Sequence, residues 1–490
     1  MEVEGIVRNL ENSVVIVTGA TGFLAKVFIE KLLRVQPNIK KLYLLLRAAS
    51  HESALQRFYS EIKAKDLFRV LKKKHGPNFS ALIAQKITVV HGDISRVNLG
   101  VEDLNLFEEM RNEVDIVVNL AATTSFDERY DVSFHINTMW PKHILNFAKR
   151  CARIKVLLHV STAYVSGEKE GLIEETPHRM GDTLNGTVGL DIDNEQKIID
   201  EKLKRLQADN VSKRDLNLAM KDLGLQRARN YGWPNTYVFT KAMGEMILEE
   251  LKGNIPTVIV RPTIITSTYK QPFPGWNEGL RTIDSIAAGY AKGKITCFLC
   301  DPKTVLDIIP ADMVVNAMIV AMLAHAQNPS KTPIYQIGSS VSNPLLFSSL
   351  QDYIQRYFRK HPCFDKQEKP IQVREVTIFR TRNNFRLYMA LRYLVPLKVL
   401  WILNAALFQW LGGLYHNLNR KIKYAMRMID LYAPYLFFKG IYDDTNTEVL
   451  RQIVRKNEAE NVFYLDPKRI NWENYFMNIH FPGLVKYTIK

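Results

Sequence analysis

The stretch Val14-Val-Ile-Val-Thr-Gly-Ala-Thr-Gly-Phe-Leu-Ala25 constrains this chain more than any other. Residues 14–17 form a short apolar run, as a strand buried on both faces requires. Gly19, Gly22 and Ala25 follow, and then an apolar pattern at helical spacing through Phe23, Val27, Phe28, Leu32 and Leu33. Strand, glycine turn and helix in that order open a dinucleotide-binding βαβ unit. Gly19 allows the sharp turn. Gly22 lets the backbone approach a pyrophosphate at the helix N-terminus, where free N–H groups and the dipole favour an anion. Ala25 is small enough for the helix to lie close to the strand.

Residues 42–46, 87–94, 114–122, 155–162, 256–262 and 335–338 read as further strands, with helical patterns between them. The alternation predicts an α/β fold with a doubly wound, parallel, Rossmann-type sheet. Arg47 ends the second strand about 25 residues past the glycines. An acidic residue near that place suits NAD; an arginine either pairs with the 2′-phosphate of NADP(H) or simply faces solvent. Asp93 ends the third strand, placed to accept from an adenine amino group or to serve as a turn residue. The fourth ends in the small residues Ala121 and Ala122, where a cofactor could lie against the backbone.

Ser161 and Thr162 sit at the carboxyl end of a central strand, where ligands bind in open α/β sheets. Tyr237 and Lys241 are one turn apart on one helix face. Together these groups form a reductase site. Tyr237 donates a proton to a carbonyl oxygen as a hydride reaches its carbon. Lys241 lowers the phenol pKa and holds the nicotinamide ribose. Thr162, or in second place Ser161, orients the oxygen; neighbouring strand residues point to opposite faces, so only one of the two can do so.

With 490 residues the chain is long enough for a large and a small domain: residues 1–360 as the dinucleotide-binding unit and 361–490 as a mainly helical C-terminal domain. Residues 167–233 are charged and show no strand pattern, which suits either a lid or a helical decoration. The net charge of +16 calls for an acidic partner. Interleaved Arg and aromatic residues of a nucleic-acid module are absent, which leaves a membrane surface or a polyanionic substrate. Residues 376–428 hold nine Lys or Arg and no Asp or Glu. Residues 399–419 lack charge but carry Asn404, Gln409, Gly412, Gly413 and Asn417, and the apolar segment 387–398 before them holds Arg392, Pro396 and Lys398, which leaves spanning and interfacial attachment both open. A helix pair in a membrane interface or walling an acyl tunnel is expected, the alternative being a buried helical subdomain with a basic rim. Cys297-x-x-Cys300 is the only close cysteine pair, so no metal site is expected. No secretory signal or transit peptide fits before the first strand, which predicts a chain that begins in the cytosol.

The 18–25 turn, the Tyr237/Lys241 pair and Ser161-Thr162 resemble the extended short-chain dehydrogenase/reductases. Leu44-Leu-Leu-Arg-Ala48, Gly92-Asp-Ile94, Asn119-Leu-Ala-Ala122, His159-Val-Ser-Thr-Ala-Tyr-Val165, Gly232-Trp-Pro-Asn-Thr-Tyr-Val-Phe-Thr-Lys241 and Arg261-Pro-Thr-Ile-Ile-Thr-Ser267 are similar to plant alcohol-forming fatty acyl-CoA reductases, as are Tyr435-Leu-Phe-Phe and Phe481-Pro-Gly. That resemblance implies NADPH-dependent reduction of long-chain acyl-CoA to a primary alcohol for wax or surface lipids, at the endoplasmic reticulum membrane. It adds Thr18, Thr21, Phe23, Leu24, Ile94, Asn119, Pro262 and Thr263 to the cofactor-binding residues. One nucleotide turn must then act twice, since a thioester needs two hydrides to become an alcohol. Rival readings are an aldehyde-forming acyl-CoA reductase, a steroid- or flavonoid-type oxidoreductase, and a membrane-bound NADPH-sensing scaffold.

Overall fold

In the computed structural model, which describes residues 7–326 and 332–489, the predicted strands assemble into one seven-stranded sheet. We number its strands β1 (Val14–Thr18), β2 (Lys41–Leu46), β3 (Ile87–His91), β4 (Ile116–Asn119), β5 (Val156–Val160), β6 (Thr257–Pro262) and β7 (Ile334–Ile337). Their spatial order is β3-β2-β1-β4-β5-β6-β7, and every neighbouring pair is parallel. The order reverses between β1 and β4, which opens a crevice at their carboxyl ends. β1 is buried along its whole length, as its unbroken apolar run demands.

Register carries the next consequence. Thr18 pairs with Asn119 and Asn119 with His159, so the three lie in one row across β1, β4 and β5. Helix α1 (Phe23–Val35) follows the glycine turn. The almost wholly apolar helix Ala311–Ala324 packs with it in the same core.

The charged insertion folds as two helices, Ile192–Ala208 and Lys213–Asn230, capped by Asp191 and Ser212. Ile199, Leu206 and Met220 pack them into one cluster with Val238, Phe239 and Met243 of helix Thr236–Leu251. Buried Glu195 binds Arg227 and accepts from the Tyr130 hydroxyl at 2.7 Å. The helix pair is therefore a buttress beside the tyrosine-bearing helix. The expectation of no strand here needs correction: Gly171–Ile173 pairs in parallel with Gly440–Tyr442. Three residues are too few for an alternating pattern to show.

Residues after 361 share the main core. Tyr475, Phe476, Phe481 and Leu484 are packed in the cluster that holds Phe28 and Leu32 of α1. A helical hairpin stands out from that core. Its first arm runs from Arg382 to Ala406 and is, among the described residues, the one helix long and apolar enough to cross a membrane. Phe408 and Gln409 turn the chain with positive φ, and helix Gly412–Leu436 returns. The apolar arm begins earlier than the 399–419 window, because its arginines, Arg382, Arg386 and Arg392, lie inside the helix rather than beside it.

Candidate active site

The nucleotide end of the crevice is shaped by backbone. Gly19 has φ +66°, and a Cβ there would come within 2.7 Å of the Ala121 amide nitrogen. Only glycine fits both demands. Gly22 stands at the start of α1 with no side-chain cap, and no acidic residue occupies the first turn. The free N–H groups at this helix start suit a pyrophosphate. A cleft of about 220 Å³ continues from this turn, lined by Gly19, Thr21, Arg47, Asp93, Ala121 and Ala122, with Ile94 beside them. These residues fit a dinucleotide. Asp93 folds one carboxylate oxygen onto the Ser95 amide at 2.9 Å, the turn role foreseen as its alternative.

Arg47 is not alone in the cleft. Arg57 lines the same space and donates to the Arg47 carbonyl at 2.5 Å. The Arg57 guanidinium is also held by Glu61 at 2.7 and 3.0 Å, while that of Arg47 lies over the Trp140 ring. Phe23 is buried against Trp276, with the Arg281 guanidinium 4.5 Å above its ring, and Leu24 is buried behind it. Pro262 ends β6, and Thr263 donates from its amide to the Ile337 carbonyl at 3.1 Å. Pro262 and Thr263 lie outside the adenosine-side cleft.

Helix Thr236–Leu251 is capped by Asn235, whose side chain accepts from the Val238 amide at 3.2 Å. One face carries Tyr237, Lys241 and Glu245 in consecutive turns, all buried. The Thr162 hydroxyl is the polar neighbour of the Tyr237 phenol and favours its ionised form. The Ser161 hydroxyl is buried near Glu245 and makes no hydrogen bond among the described residues. Thr162, which caps the short turn Ala163–Ser166 just past β5, is thus the hydroxyl beside the phenol.

The expected action of Lys241 on Tyr237 is not what the structure shows. Burial pushes the phenol up to about 12, and Thr162 opposes that rise. The ammonium instead donates to the Val160 carbonyl at 2.8 Å and lies 3.3 Å from His159 Nε2. Spacing on a helix fixes the face of a side chain but not the direction of its long stem. Burial brings Lys241 down to about 8, opposed by Glu245. Glu245 resists its own burial because Arg261 grips it through three contacts of 2.5 to 3.2 Å.

Behind Lys241 runs a buried polar row. The Thr18 hydroxyl donates to Asn119 Oδ1 at 2.7 Å, and Asn119 Nδ2 lies 3.0 Å from His159 Nδ1. Burial and the Lys241 ammonium hold the imidazole far below its ordinary pKa, so it stays neutral. The buried, protonated phenol with its hydroxyl neighbour can deliver a proton to a substrate oxygen.

Known proteins bear on this arrangement. Residues 17–318 match the NAD-binding model described as male sterility protein, and residues 392–490 match the Sterile model of the same description. The chain is 52% identical over 490 residues to the alcohol-forming fatty acyl-CoA reductase of Simmondsia chinensis, spanning 100% of this chain and 99% of that one. It is also 52% identical to the probable fatty acyl-CoA reductase 4 of Arabidopsis thaliana, over 99% of both chains. It belongs to the fatty acyl-CoA reductase family. Among solved structures, the terminal R domain of the myxalamid PKS-NRPS pathway superposes with a TM-score of 0.56 at 14% identity, covering 97% of this chain and 90% of that one. The reductase shares the fold of that domain.

Several residues of the reductase site went unread in its sequence. Arg57 shows no motif. His159 opens the 159–165 motif, but its contact with Lys241 depends on register across three strands. Phe126, whose ring stacks on Tyr237 at 5.7 Å, follows the fourth strand without any periodic signal.

Proposed function

We propose that this reductase converts long-chain or very-long-chain fatty acyl-CoA to primary fatty alcohol through an aldehyde, with NADPH as reductant and release of CoA, for wax or surface-lipid synthesis. The observation that carries the reading is the Tyr237 phenol, buried and protonated, beside Thr162 at the carboxyl edge of the sheet. Bound NADPH supplies the hydride. Tyr237 and Thr162 hydrogen-bond the thioester oxygen and bear the charge that builds on it. Collapse expels CoA and leaves an aldehyde, whose oxygen meets the same two hydroxyls in a second round. Tyr237 then gives that oxygen its proton. Two hydrides and two protons are consumed in all.

Arg47 in the cleft beyond β2, with Arg57 lining the same space, supports NADPH over NADH, because a guanidinium pairs with a 2′-phosphate better than with a ribose hydroxyl. The hairpin supports a membrane address on the cytosolic face of the endoplasmic reticulum. Its tip exposes Phe408 (97%) and Trp410 (82%), and Arg392, Lys398, Arg420, Lys421 and Lys423 flank it without an acidic residue. Aromatic and basic groups in that pattern suit an anionic lipid interface.

Purified protein incubated with NADPH and saturated acyl-CoAs tests the reaction, with products identified by mass spectrometry. Fatty alcohol is expected. Aldehyde alone points to the aldehyde-forming rival, and no product from any acyl-CoA overturns the reading. Flotation with liposomes in high salt tests the hairpin; full recovery in the soluble fraction removes it from the membrane.

A further inference from the structure

Between the α/β core and the last turns of helix Gly412–Leu436 lies a cavity of about 330 Å³. Ile264, Ile283, Ile286, Leu306, Met428 and Leu436 form much of its wall, and no Lys or Arg among the described residues lines it. Asp307 also borders it, but its carboxylate accepts from the Ser339 and Ser340 amides at 2.6 and 3.2 Å.

One end of the cavity abuts the catalytic residues. Tyr164, two positions after Thr162, and Tyr435 stand there. The Tyr435 hydroxyl accepts from Asn235, the cap of the Tyr237 helix, at 2.8 Å. Phe126 lies against the rings of Tyr237, Tyr432 and Tyr435 at once. The far end is closed by Phe298 and Phe347, stacked 5.4 Å apart and 13° from parallel. A second void of about 30 Å³ shares both rings and continues to Ile354 and Ile378.

We propose that this cavity takes the acyl tail of the substrate and that the Phe298–Phe347 pair is the floor that sets the longest chain accepted. The assignment rests on the acyl-CoA reading above. Coenzyme A carries phosphates, which a cation-free apolar wall repels by desolvation. A polymethylene chain gains by filling the same space. Its carboxyl end then meets Tyr237 and Thr162, and its methyl end meets the floor.

Two opposite variants of the full-length protein test the floor. Phe347→Ala joins the two voids, and Ile286→Phe shortens the first. Each is assayed with NADPH against saturated acyl-CoAs differing by two carbons, and kcat/KM is compared along the series. For Phe347→Ala the ratio of longer to shorter chains should rise by about tenfold or more, and for Ile286→Phe it should fall by a similar factor, since a methylene in a hydrophobic pocket carries that discrimination. If either variant is active and keeps the parent profile, the floor assignment is overturned. Should Phe347→Ala fail to fold, Ile286→Phe decides alone, because it fills space rather than hollowing the core. A parent protein inactive on every acyl-CoA refutes the underlying reading instead, which separates the two failures.

Discussion

Lys241 and His159 meet inside the sheet edge, the ammonium nitrogen 3.3 Å from Nε2 of the imidazole. The contact is the last member of the row from Thr18 through Asn119, and it fixes where the lysine stem points. Replacing His159 by Phe leaves a buried ammonium short of one acceptor, at a cost of about 1–3 kcal/mol. Catalytic efficiency is expected to fall by about tenfold to a hundredfold, with His159→Gln restoring part of it. Steady-state kinetics of the two variants, together with their melting temperatures, check this. Equal kinetics for parent and Phe variant exclude a positioning role.

Tyr237→Phe keeps the ring that stacks on Phe126 and removes the proton. Alcohol formation should drop by about a hundredfold to ten-thousandfold, while NADPH binding, followed by fluorescence titration, stays within a few-fold of the parent. Unchanged turnover is incompatible with the phenol as proton donor.

The pH dependence follows from Lys241, held at about 8 against an ordinary value of 10.5. Below pH 8 the lysine is charged in folded and unfolded chains alike, and the fold bears the full cost of burying the charge. As pH rises through 8 the folded chain releases the proton first, so this group's penalty to stability is relieved. Activity should move the other way. The kcat/KM for NADPH, which reports the free enzyme, should decline as pH passes 8, while the melting temperature shows no matching loss from this group. Lys241→Arg should push the decline to higher pH. A decline at the same pH in that variant assigns the titration to another residue.

Arg47→Asp should weaken NADPH by about tenfold to a hundredfold, the scale of a lost hydrogen bond to a charged group, and leave NADH nearly unchanged. Competition binding with both nucleotides measures the ratio. If the preference survives Arg47→Asp but falls in Arg57→Ala, the second guanidinium is the one that holds the 2′-phosphate.

Much of this site was legible in the sequence where the chemistry is local. Gly19 and Gly22 announce themselves because a positive φ and an open helix start are properties of a few adjacent residues. Tyr237 and Lys241 follow from helical spacing, and Thr162 from its place at a strand end. What escaped is what distance hides. His159 reaches Lys241 only after β1, β4 and β5 align, and Tyr435 reaches Asn235 across 200 positions of chain. The strand at Gly171–Ile173 has no pattern of its own, since its partner lies more than 260 residues later. The phenol pKa also went astray, because burial outweighs what its neighbours do.

The bond from Tyr435 to Asn235 joins the stem of the hairpin to the first turn of the catalytic helix. Arg427, two turns earlier on that stem, is clasped by Asp127 at 2.6 Å, next to the phenylalanine that covers the phenol. The exposed aromatic tip and the buried phenol are therefore two ends of one stiff rod. Chimeras between relatives that exchange everything after residue 361 must bring matching partners for both contacts, or the transplanted hairpin will leave the Tyr237 helix without its bracing.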